Sequence, residues 1–335
     1  MRYLNLGKSG LLVSEVALGT MTFGREASEE ESVRMLHLYL ERGGNFIDTA
    51  NIYAQGRSEE IIGRALQGEK RHGVVLATKG FFRMGEGLYD HGANRKHLAR
   101  ALEGSLRRLQ TDYLDLYQIH CFDQTTPLEE TLETLDLLVR QGKVLYVGLS
   151  NYTGWQIARA VGIAEHAHLP RFISAQMEYS LVERNIELEV VPACRAFSLS
   201  IMAWGPLGGG FLSGKYKAGE FPKEGRIAHA KAEWEEHWSR RGTEKNFRIL
   251  SLLEELAKKH GKTVAQVALN WLLQKEGVIP ILGATRLAQL EDNLGCVGWS
   301  LTPEDIEHLD AVSAPDTPYP YRFITWANQV VQGKA

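Results

Sequence analysis

The sequence lacks the features that mark secreted, membrane-spanning or cysteine-based metal proteins. Its three cysteines, Cys121, Cys194 and Cys296, are widely separated and form no CxxC pair, which indicates a reducing compartment. No apolar run approaches the roughly 20 residues of a membrane span, and the first residues lack the apolar core of a signal peptide. We therefore expect a cytoplasmic protein with no metal site and no membrane contact.

Two further absences concern nucleotides and nucleic acids. The net charge is −3 and no basic stretch alternates with aromatic residues, so we expect no nucleic-acid partner. The GxGxxG fingerprint of dinucleotide-binding sheets is also missing, so a bound dinucleotide would have to be held in another way. With 335 residues, of which 44% are hydrophobic and 24% charged, the chain is long enough to bury a large core.

Eight short β-like runs alternate with helical segments along nearly the whole chain. The runs begin at residues 16, 45, 74, 114, 144, 172, 199 and 278, and helical periodicity is clear over 245–259 and 264–274. This alternation indicates parallel strands joined by right-handed crossovers, and eight such units predict an α/β fold of the (β/α)8 TIM barrel type. We expect one domain over residues 1–335, with an N-terminal β-hairpin over 2–16 that closes the barrel's N-terminal end and a long loop after the seventh barrel strand, over 205–242.

Four residues suited to protonating a carbonyl oxygen lie at or just past the ends of these runs: Asp48, Tyr53, Lys79 and His120. The carboxyl ends of parallel strands meet at one face, so we expect a single site. A phenol with a pKa near 10 is a poor acid at neutral pH, and a neighbouring cation would favour its ionised form. We interpret Tyr53 as the proton donor tuned by Lys79, Asp48 as the carboxylate that keeps the lysine charged, and His120 as a neutral hydrogen-bonding partner of the substrate oxygen.

Each of these four residues has a plain structural explanation when it is taken alone, as a loop tyrosine, a snorkelling lysine, a turn cap or a core histidine. Four such coincidences at successive strand ends are improbable, which favours the catalytic interpretation. Cys121 adjoins His120, but neighbours on a strand point to opposite faces, so the two should not form a catalytic dyad. We expect Cys121 to be buried and inert.

None of these side chains can supply a hydride, which implies a bound nicotinamide. The segment GGFLSGKY from Gly209 nearly matches a P-loop, but Tyr216 stands in place of the magnesium-binding hydroxyl. Its backbone amides and Lys215 could instead surround a pyrophosphate, and a flexible surface loop is an equally open alternative.

A second phosphate candidate is GATRLAQLEDN, which follows the eighth run at residues 283–293. Barrels commonly hold phosphate at the loops after strands seven and eight, against helix N-termini. Thr285 and Arg286 are placed to bind a 2′-phosphate, and Gln289 and Asn293 lie one turn apart on one helix face. The alternative is that these two amides only solvate an exposed helix.

Together these motifs resemble those of the aldo-keto reductase superfamily. The resemblance runs from LGKSGLLVSEVALGTMTFG through FIDTANIYAQGRSEEIIGRAL, LATKG, YLDLYQIH, VGLSNY, SAQMEYS and WGPLGGGFLSGKY to ILGATRLAQLEDN, and so covers nearly the whole chain. It implies a barrel that binds NADPH in an extended pose at its C-terminal face, with NADH as an alternative. Gly283 and Gln289 replace a lysine and an arginine of mammalian-type members, so the pattern is closer to bacterial reductases and potassium-channel β-subunits.

The resemblance also implies cofactor contacts, which fall into three groups. For the nicotinamide, its ribose and its carboxamide they are Thr20, Met21, Asp48, Ser150, Asn151, Gln176 and the stacking Trp204. For the pyrophosphate they are Gly205, Pro206, Leu207, Gly209 and Lys215, with Arg226 nearer the adenosine. For the adenosine 2′-phosphate end they are Gly283, Thr285, Gln289 and Asn293, beside Arg286.

Two functional hypotheses follow from the sequence. The first is an enzyme that reduces small-molecule aldehydes or ketones to alcohols with NADPH. The second is a nucleotide-binding regulatory subunit of a partner protein such as a channel. Aromatic residues are expected to line a hydrophobic substrate mouth, with candidates Phe23, Phe81, Phe82, Phe122 and Trp204. The sequence specifies neither the carbonyl substrate nor an oligomeric state.

Overall fold

A computed structural model describes residues 1–223 and 225–333 and contains a closed barrel of eight parallel strands. Each of the eight predicted runs forms one barrel strand, in the order β10-β3-β4-β5-β6-β7-β8-β9, so the predicted (β/α)8 barrel is confirmed. The strands are β1 (Tyr3–Asn5), β2 (Leu12–Ser14), β3 (Ala17–Gly19), β4 (Phe46–Asp48), β5 (Val75–Gly80), β6 (Leu114–Ile119), β7 (Val144–Ser150), β8 (Phe172–Glu178), β9 (Ser200–Trp204) and β10 (Val278–Leu282).

Helices surround the barrel, and several of them begin at an N-cap residue whose side chain accepts a hydrogen bond from a backbone N–H of the first turn. Thr302, for example, forms a capping box with Asp305 at the start of α12. No helix in the described ranges is long and apolar enough to cross a membrane. The helices are α1 (Glu29–Glu41), α2 (Arg57–Ala65), α3 (Glu69–His72), α4 (Arg95–Leu109), α5 (Leu128–Arg140), α6 (Gly154–His166), α7 (Val190–Phe197), α8 (Trp238–Arg241), α9 (Glu244–His260), α10 (Val264–Leu273), α11 (Leu287–Leu294), α12 (Pro303–Ser313) and α13 (Tyr321–Val331).

The barrel interior is apolar at its N-terminal end and polar at its C-terminal end. Side chains alternate along each strand, so Phe46 and Asp48 both point inward from β4, at successive levels. The lower level packs apolar residues from most strands, including Val75, Leu116 and Met202. Above it lie charged and amide side chains. The charged and amide side chains of the barrel interior therefore lie at the C-terminal face, where barrels of this type carry their active sites.

The predicted hairpin is present and covers the apolar end of the barrel. β1 and β2 pair antiparallel, and Leu6 between them is fully buried in the lower interior cluster. The backbone N–H of Gly7 donates to Ser200 Oγ at 2.7 Å, and that of Lys8 donates to the Ser198 carbonyl at 2.9 Å. These bonds attach the hairpin tip to the start of β9 and keep water from the core.

The long loop after β9 packs around its own aromatic cluster. Tyr216, which breaks the P-loop pattern, is 8% exposed and stacks on Phe211 with ring centroids 5.9 Å apart. Trp238 and Phe247 complete the cluster. The tyrosine at this position thus has a packing role.

Replacing Gly7 with alanine should destabilise the fold, because Gly7 has φ 54° and an added Cβ would lie 2.1 Å from the Ile173 carbonyl oxygen. We expect a loss of about 2–4 kcal/mol in the free energy of unfolding, measured by urea denaturation. Gly10→Ala in the same hairpin is the control, because nothing lies within 4 Å of its added Cβ. Equal stability of the two variants would contradict the account of the hairpin.

Candidate active site

A buried ammonium group lies at the centre of the polar end of the barrel. Lys79, the penultimate residue of β5, is fully buried. Its Nζ donates to Asp48 Oδ2 at 2.7 Å, to the Thr49 carbonyl at 2.8 Å and to Tyr53 Oη at 3.2 Å. All three N–H donors of the lysine are thereby satisfied. Asp48, Lys79 and Tyr53 are brought together as the sequence predicts.

The electrostatic balance of this group differs from the expectation in one respect. Burial lowers the pKa of Lys79, but Asp48 and Tyr53 more than offset it, so the pKa is raised and the lysine stays charged. Burial raises the pKa of Tyr53, and Lys79 and more weakly Arg226 lower it only in part. The loss of water around the buried phenol therefore outweighs the effect of the neighbouring lysine on its pKa. The phenol is therefore neutral at pH 7 and carries its proton.

His120 follows β6 and completes the group. Its ring centroid lies 6.0 Å from that of Tyr53, and its backbone N–H donates to the Gly80 carbonyl at 3.1 Å. Burial, followed by the charge of Lys79, lowers the pKa of His120 well below its ordinary value. The imidazole is therefore neutral across the physiological range and can act as a hydrogen-bonding partner without adding charge.

Asp48 is held by two amide side chains that line the barrel interior. Gln176 Nε2 donates to Asp48 Oδ1 at 2.8 Å, and Gln118 Nε2 donates to the same oxygen at 3.2 Å. Gln118 is absent from the sequence prediction. Its signal was a polar residue two positions before His120 in YQIH, on the inward face of an otherwise apolar strand.

The residues expected to hold the carboxamide and to stack on the nicotinamide lie near the C-terminal ends of β7, β8 and β9. Asn151 has φ 55°, and its Nδ2 donates to the His120 carbonyl at 2.9 Å and to Ser150 Oγ at 3.1 Å. Its Oδ1 accepts from Trp204 Nε1 at 3.2 Å. The Asn151 amide therefore links His120 to Trp204 and has its hydrogen bonds occupied within the protein.

Two of the expected cofactor contacts, Thr20 and Met21, follow β3, the first barrel strand, and the side chain of Thr20 faces the protein interior. Thr20 is fully buried, and its hydroxyl donates to the Asp48 carbonyl at 3.0 Å. Ser58 Oγ donates in turn to the Thr20 carbonyl at 2.9 Å. Thr20 thus supports the strand end that carries Asp48, while Met21 beside it is half-buried.

The glycine-rich loop after β9 contains several residues with left-handed backbone. Gly205, Gly208, Gly209 and Gly210 all have positive φ, between 57° and 92°. Within the loop the N–H of Gly208 donates to the Gly205 carbonyl at 2.7 Å, and that of Gly210 donates to the Leu207 carbonyl at 3.0 Å. Pro206 is buried and Leu207 is half-buried within the loop, and Lys215 Nζ lies 5.1 Å from the Tyr216 ring centroid. Arg226 Nη1 lies 3.9 Å from Glu236 Oε1.

The loop between β10 and α11 is held together by the amides that were expected to bind phosphate. Gln289 Oε1 accepts from both the N–H and the hydroxyl of Thr285 at 2.9 Å. Asn293 Nδ2 donates to the Gly283 carbonyl at 3.3 Å. These contacts shape the loop, and they leave Gly283 and Arg286 exposed at its surface.

Two expectations for the mouth of the site are wrong. Phe23 is 1% exposed and belongs to the core, because its segment turns back between β3 and α1. Cys121 is half-buried rather than buried, although burial raises the pKa of its thiol and so keeps it protonated. Phe82 does lie at the mouth, with its ring edge-on to His120 at a centroid distance of 4.7 Å. Phe81 and Phe122 are half-buried nearby.

A buried contact between a carboxyl group and a guanidinium group attaches the long loop to the barrel. Glu178, at the end of β8, contacts the guanidinium of Arg241 in α8, and both side chains are nearly inaccessible to water. Burial, opposed in part by Arg241, raises the pKa of Glu178 to about 8, and the nearby carboxylates of Glu183, Glu236 and Glu235 add to the rise. No pattern in the sequence indicates this pair, because its partners are 63 residues apart.

Glu178→Gln should change how stability depends on pH. A carboxyl whose pKa rises from 4.5 to about 8 on folding binds more protons in the folded state between those values, so wild-type stability falls as pH rises through that window. The stability of the Glu178→Gln variant does not fall in this way with rising pH, although the substitution also weakens the contact with Arg241 at every pH. Its free energy of unfolding relative to wild type should therefore increase with pH, by up to about 1.4 kcal/mol per unit.

The measurement is urea denaturation of both proteins at several pH values between 5.5 and 7.5. Glu291→Gln, which removes a carboxylate from an exposed pair with Arg42, is the matched control and should show no such trend. If the free energies of unfolding of wild type and Glu178→Gln changed in parallel with pH, Glu178 would not be a buried carboxyl group that binds a proton on folding.

Comparison with known proteins decides the family. The model of the Aldo/keto reductase family matches residues 15–314. The chain belongs to this family. Membership of this family, together with relatives that are named as an oxidoreductase and a reductase, supports carbonyl reduction as the general reaction.

In the described ranges, no group of three or more His, Cys, Asp or Glu side chains could hold a metal ion.

Several relatives of this aldo/keto reductase are similar over their whole length. YrpG of Bacillus subtilis (strain 168), named as an oxidoreductase, is 38% identical over 324 residues, which cover 93% of this chain and 96% of the relative. A probable voltage-gated potassium channel subunit beta of Oryza sativa subsp. japonica is 35% identical, with 96% and 100% covered. Versiconal hemiacetal acetate reductase of Aspergillus parasiticus is 33% identical, with 96% and 99% covered.

Proposed function

We propose that this protein reduces aldehydes or ketones to alcohols with NADPH, and that Tyr53 supplies the proton. The observation that carries the proposal is the contact of the buried, charged Lys79 with both Asp48 and Tyr53. The nicotinamide, when bound, supplies the hydride to the carbonyl carbon. The protein's own residues bind the carbonyl, exclude water and deliver the proton.

Proton delivery follows from the charges around Tyr53. As the carbonyl oxygen becomes an alkoxide it takes the phenolic proton, and negative charge moves onto Tyr53 Oη. Lys79 Nζ, 3.2 Å away, stabilises that phenolate, and Asp48 keeps the ammonium charged throughout. The pair therefore favours the transition state over the ground state, in which the phenol is neutral.

His120 and the aromatic mouth would orient the carbonyl. A neutral imidazole can hydrogen-bond the substrate oxygen without competing with Tyr53 as an acid. Phe82 covers one side of His120 and is 41% exposed, which offers an apolar wall to the rest of the substrate. We infer an uncharged small-molecule carbonyl as the substrate class.

The residues present fit an extended dinucleotide. At Gly210 the one atom within 4 Å of an added Cβ is Lys215 Nζ, at 3.7 Å, which leaves space for a pyrophosphate beside that lysine, and nothing lies within 4 Å of an added Cβ at Gly283. Trp204 and Gln176 would hold the nicotinamide end, and Arg286 the 2′-phosphate. NADH is the alternative cofactor. We further propose a single domain acting in the cytoplasm, where its three free cysteines would stay reduced.

Tyr53→Phe should lower kcat/KM for a panel of aldehydes and ketones by about 10²–10⁴, because the proton donor is lost while the ring remains. The Kd for NADPH, measured by fluorescence quenching, should stay within about twofold of wild type. Lys79→Met should lower turnover in the same way. Tyr319→Phe, on an exposed side chain, is the control and should be fully active. Turnover in Tyr53→Phe equal to wild type would eliminate Tyr53 as the donor.

Arg286→Ala should distinguish the two cofactors. Arg286 is exposed beside Thr285 at the start of α11, where a 2′-phosphate would lie. We expect the Kd for NADPH to rise about tenfold and that for NADH to stay unchanged, because a charge-assisted contact to the phosphate is lost. Arg322→Ala removes the same charge from α13 and should alter neither constant. A parallel change in both constants would place the 2′-phosphate elsewhere.

The second candidate function is that of a nucleotide-binding subunit of a partner protein. It is favoured by the relative named as a probable potassium channel subunit beta. The assembled Asp48, Tyr53, Lys79 and His120 favour the enzyme. Co-purification with a stoichiometric membrane-protein partner, together with negligible turnover on the carbonyl panel, would support the subunit instead.

A further inference from the structure

A polar layer inside the barrel extends beyond the four residues of the proposed reaction. Gln118, the penultimate residue of β6, is fully buried and faces the barrel axis next to β7. Barrel interiors are usually filled by branched apolar side chains, and a buried amide is costly unless its hydrogen bonds are made. Packing alone therefore does not explain why a glutamine occupies this position.

Space for the Gln118 side chain is provided by a glycine on the neighbouring strand. A Cβ at Gly148 would lie 3.0 Å from Gln118 Cγ and 2.6 Å from Ser174 Oγ. Gly148 is paired with Gln118 across the β6–β7 register. Two strands thus combine to admit one polar side chain at the level of Lys79, with which Gln118 is paired across β5 and β6.

The two ends of the Gln118 amide are both used. Its Nε2 donates to Asp48 Oδ1 at 3.2 Å, and its Oε1 accepts from Gln176 Nε2 at 3.3 Å. Gln176 Nε2 also donates to Asp48 Oδ1 at 2.8 Å. The three side chains form a closed triangle, in which each amide fixes the orientation of the other.

This triangle fixes the orientation of two oxygen atoms, Asp48 Oδ2 and Gln176 Oε1. With Oδ1 of Asp48 held by two amides, Oδ2 is directed at Lys79 Nζ. With its N–H groups directed inward, Gln176 keeps its Oε1 as an acceptor, and that atom makes no hydrogen bond with the described residues. A carbonyl acceptor is the partner that a primary amide N–H₂, such as that of a nicotinamide, requires.

We propose that Gln118 is a positioning residue for the reaction, a proposal that rests on the function proposed above. Its side-chain hydrogen bonds are made with Asp48 and Gln176. It acts through Asp48, whose carboxylate it orients toward Lys79, and through Gln176, whose amide it holds with the oxygen outward. Both the proton-delivering pair and the nicotinamide end thereby depend on one side chain of β6.

Two substitutions separate this role from simple packing. Gln118→Met keeps the volume and removes both hydrogen bonds, so kcat/KM should fall about tenfold and the Kd for NADPH should rise about tenfold. Gln118→Glu keeps the shape. Its protonated form replaces the donor to Asp48 and the acceptor from Gln176, and its pKa should be raised by the adjacent carboxylate.

The Gln118→Glu variant should therefore show an ionisation that wild type lacks. At low pH its kcat/KM and NADPH affinity should approach the wild-type values, and both should fall as the introduced carboxyl group ionises with rising pH. A residue with only a packing role would not introduce this ionisation. Tyr117→Phe is the matched control on the same strand, because the Tyr117 hydroxyl is buried without a hydrogen-bond partner among the described residues. It should match wild type in both readouts.

The outcomes are distinct from those that test the proposed function. Wild-type kcat/KM and Kd in Gln118→Met, with Tyr53→Phe inactive, would overturn the role of Gln118 and leave the reductase standing. An active Tyr53→Phe would reject the proton donor, while the NADPH titrations would still test Gln118. If Gln118→Met fails to fold, Gln118→Glu decides, and a pH profile identical to wild type would overturn the proposal.

Discussion

The site depends on one constraint, which is that the ammonium of Lys79 is fully buried and must be paired. Its partners come from β4, from the residue after it and from the turn that carries Tyr53. The two residues that follow Tyr53, Ala54 and Gln55, adopt left-handed backbone, at φ 48° and 56°. Such conformations cost non-glycine residues about 1–2 kcal/mol each.

Around this charge the neighbouring groups are kept neutral. Burial raises the pKa of Tyr53 and lowers that of His120, so at neutral pH the phenol and the imidazole are both uncharged beside the ammonium of Lys79. A negative charge that develops on a substrate oxygen would be stabilised by one cation, the ammonium of Lys79, whose position is already fixed by its hydrogen bonds. This arrangement supports proton transfer without a large rearrangement of the protein.

Much of the fold follows from local patterns in the sequence. Each apolar run that was bounded by helical periodicity became a barrel strand, and Asp48, Lys79 and His120 could be grouped because they end three of those runs. What could not be predicted depends on register and on distant contacts. Gln118 meets Asp48 only because Lys79 and Gln118 are paired across β5 and β6. Glu178 and Arg241, far apart in the chain, meet only when the long loop folds back. Phe23 was misplaced because its burial depends on packing between β3 and α1.

The most direct test of the central claim is the pKa of Tyr53 itself, measured in the cofactor-free protein by NMR with tyrosine labelled at Cζ. The Tyr53 signal is assigned as the one missing from Tyr53→Phe. If the ammonium of Lys79 stabilises the phenolate, the pKa of Tyr53 should be higher in Lys79→Met than in wild type, by about one unit or more. A Tyr53 pKa that is equal or lower in Lys79→Met would show that the lysine does not act on the phenol.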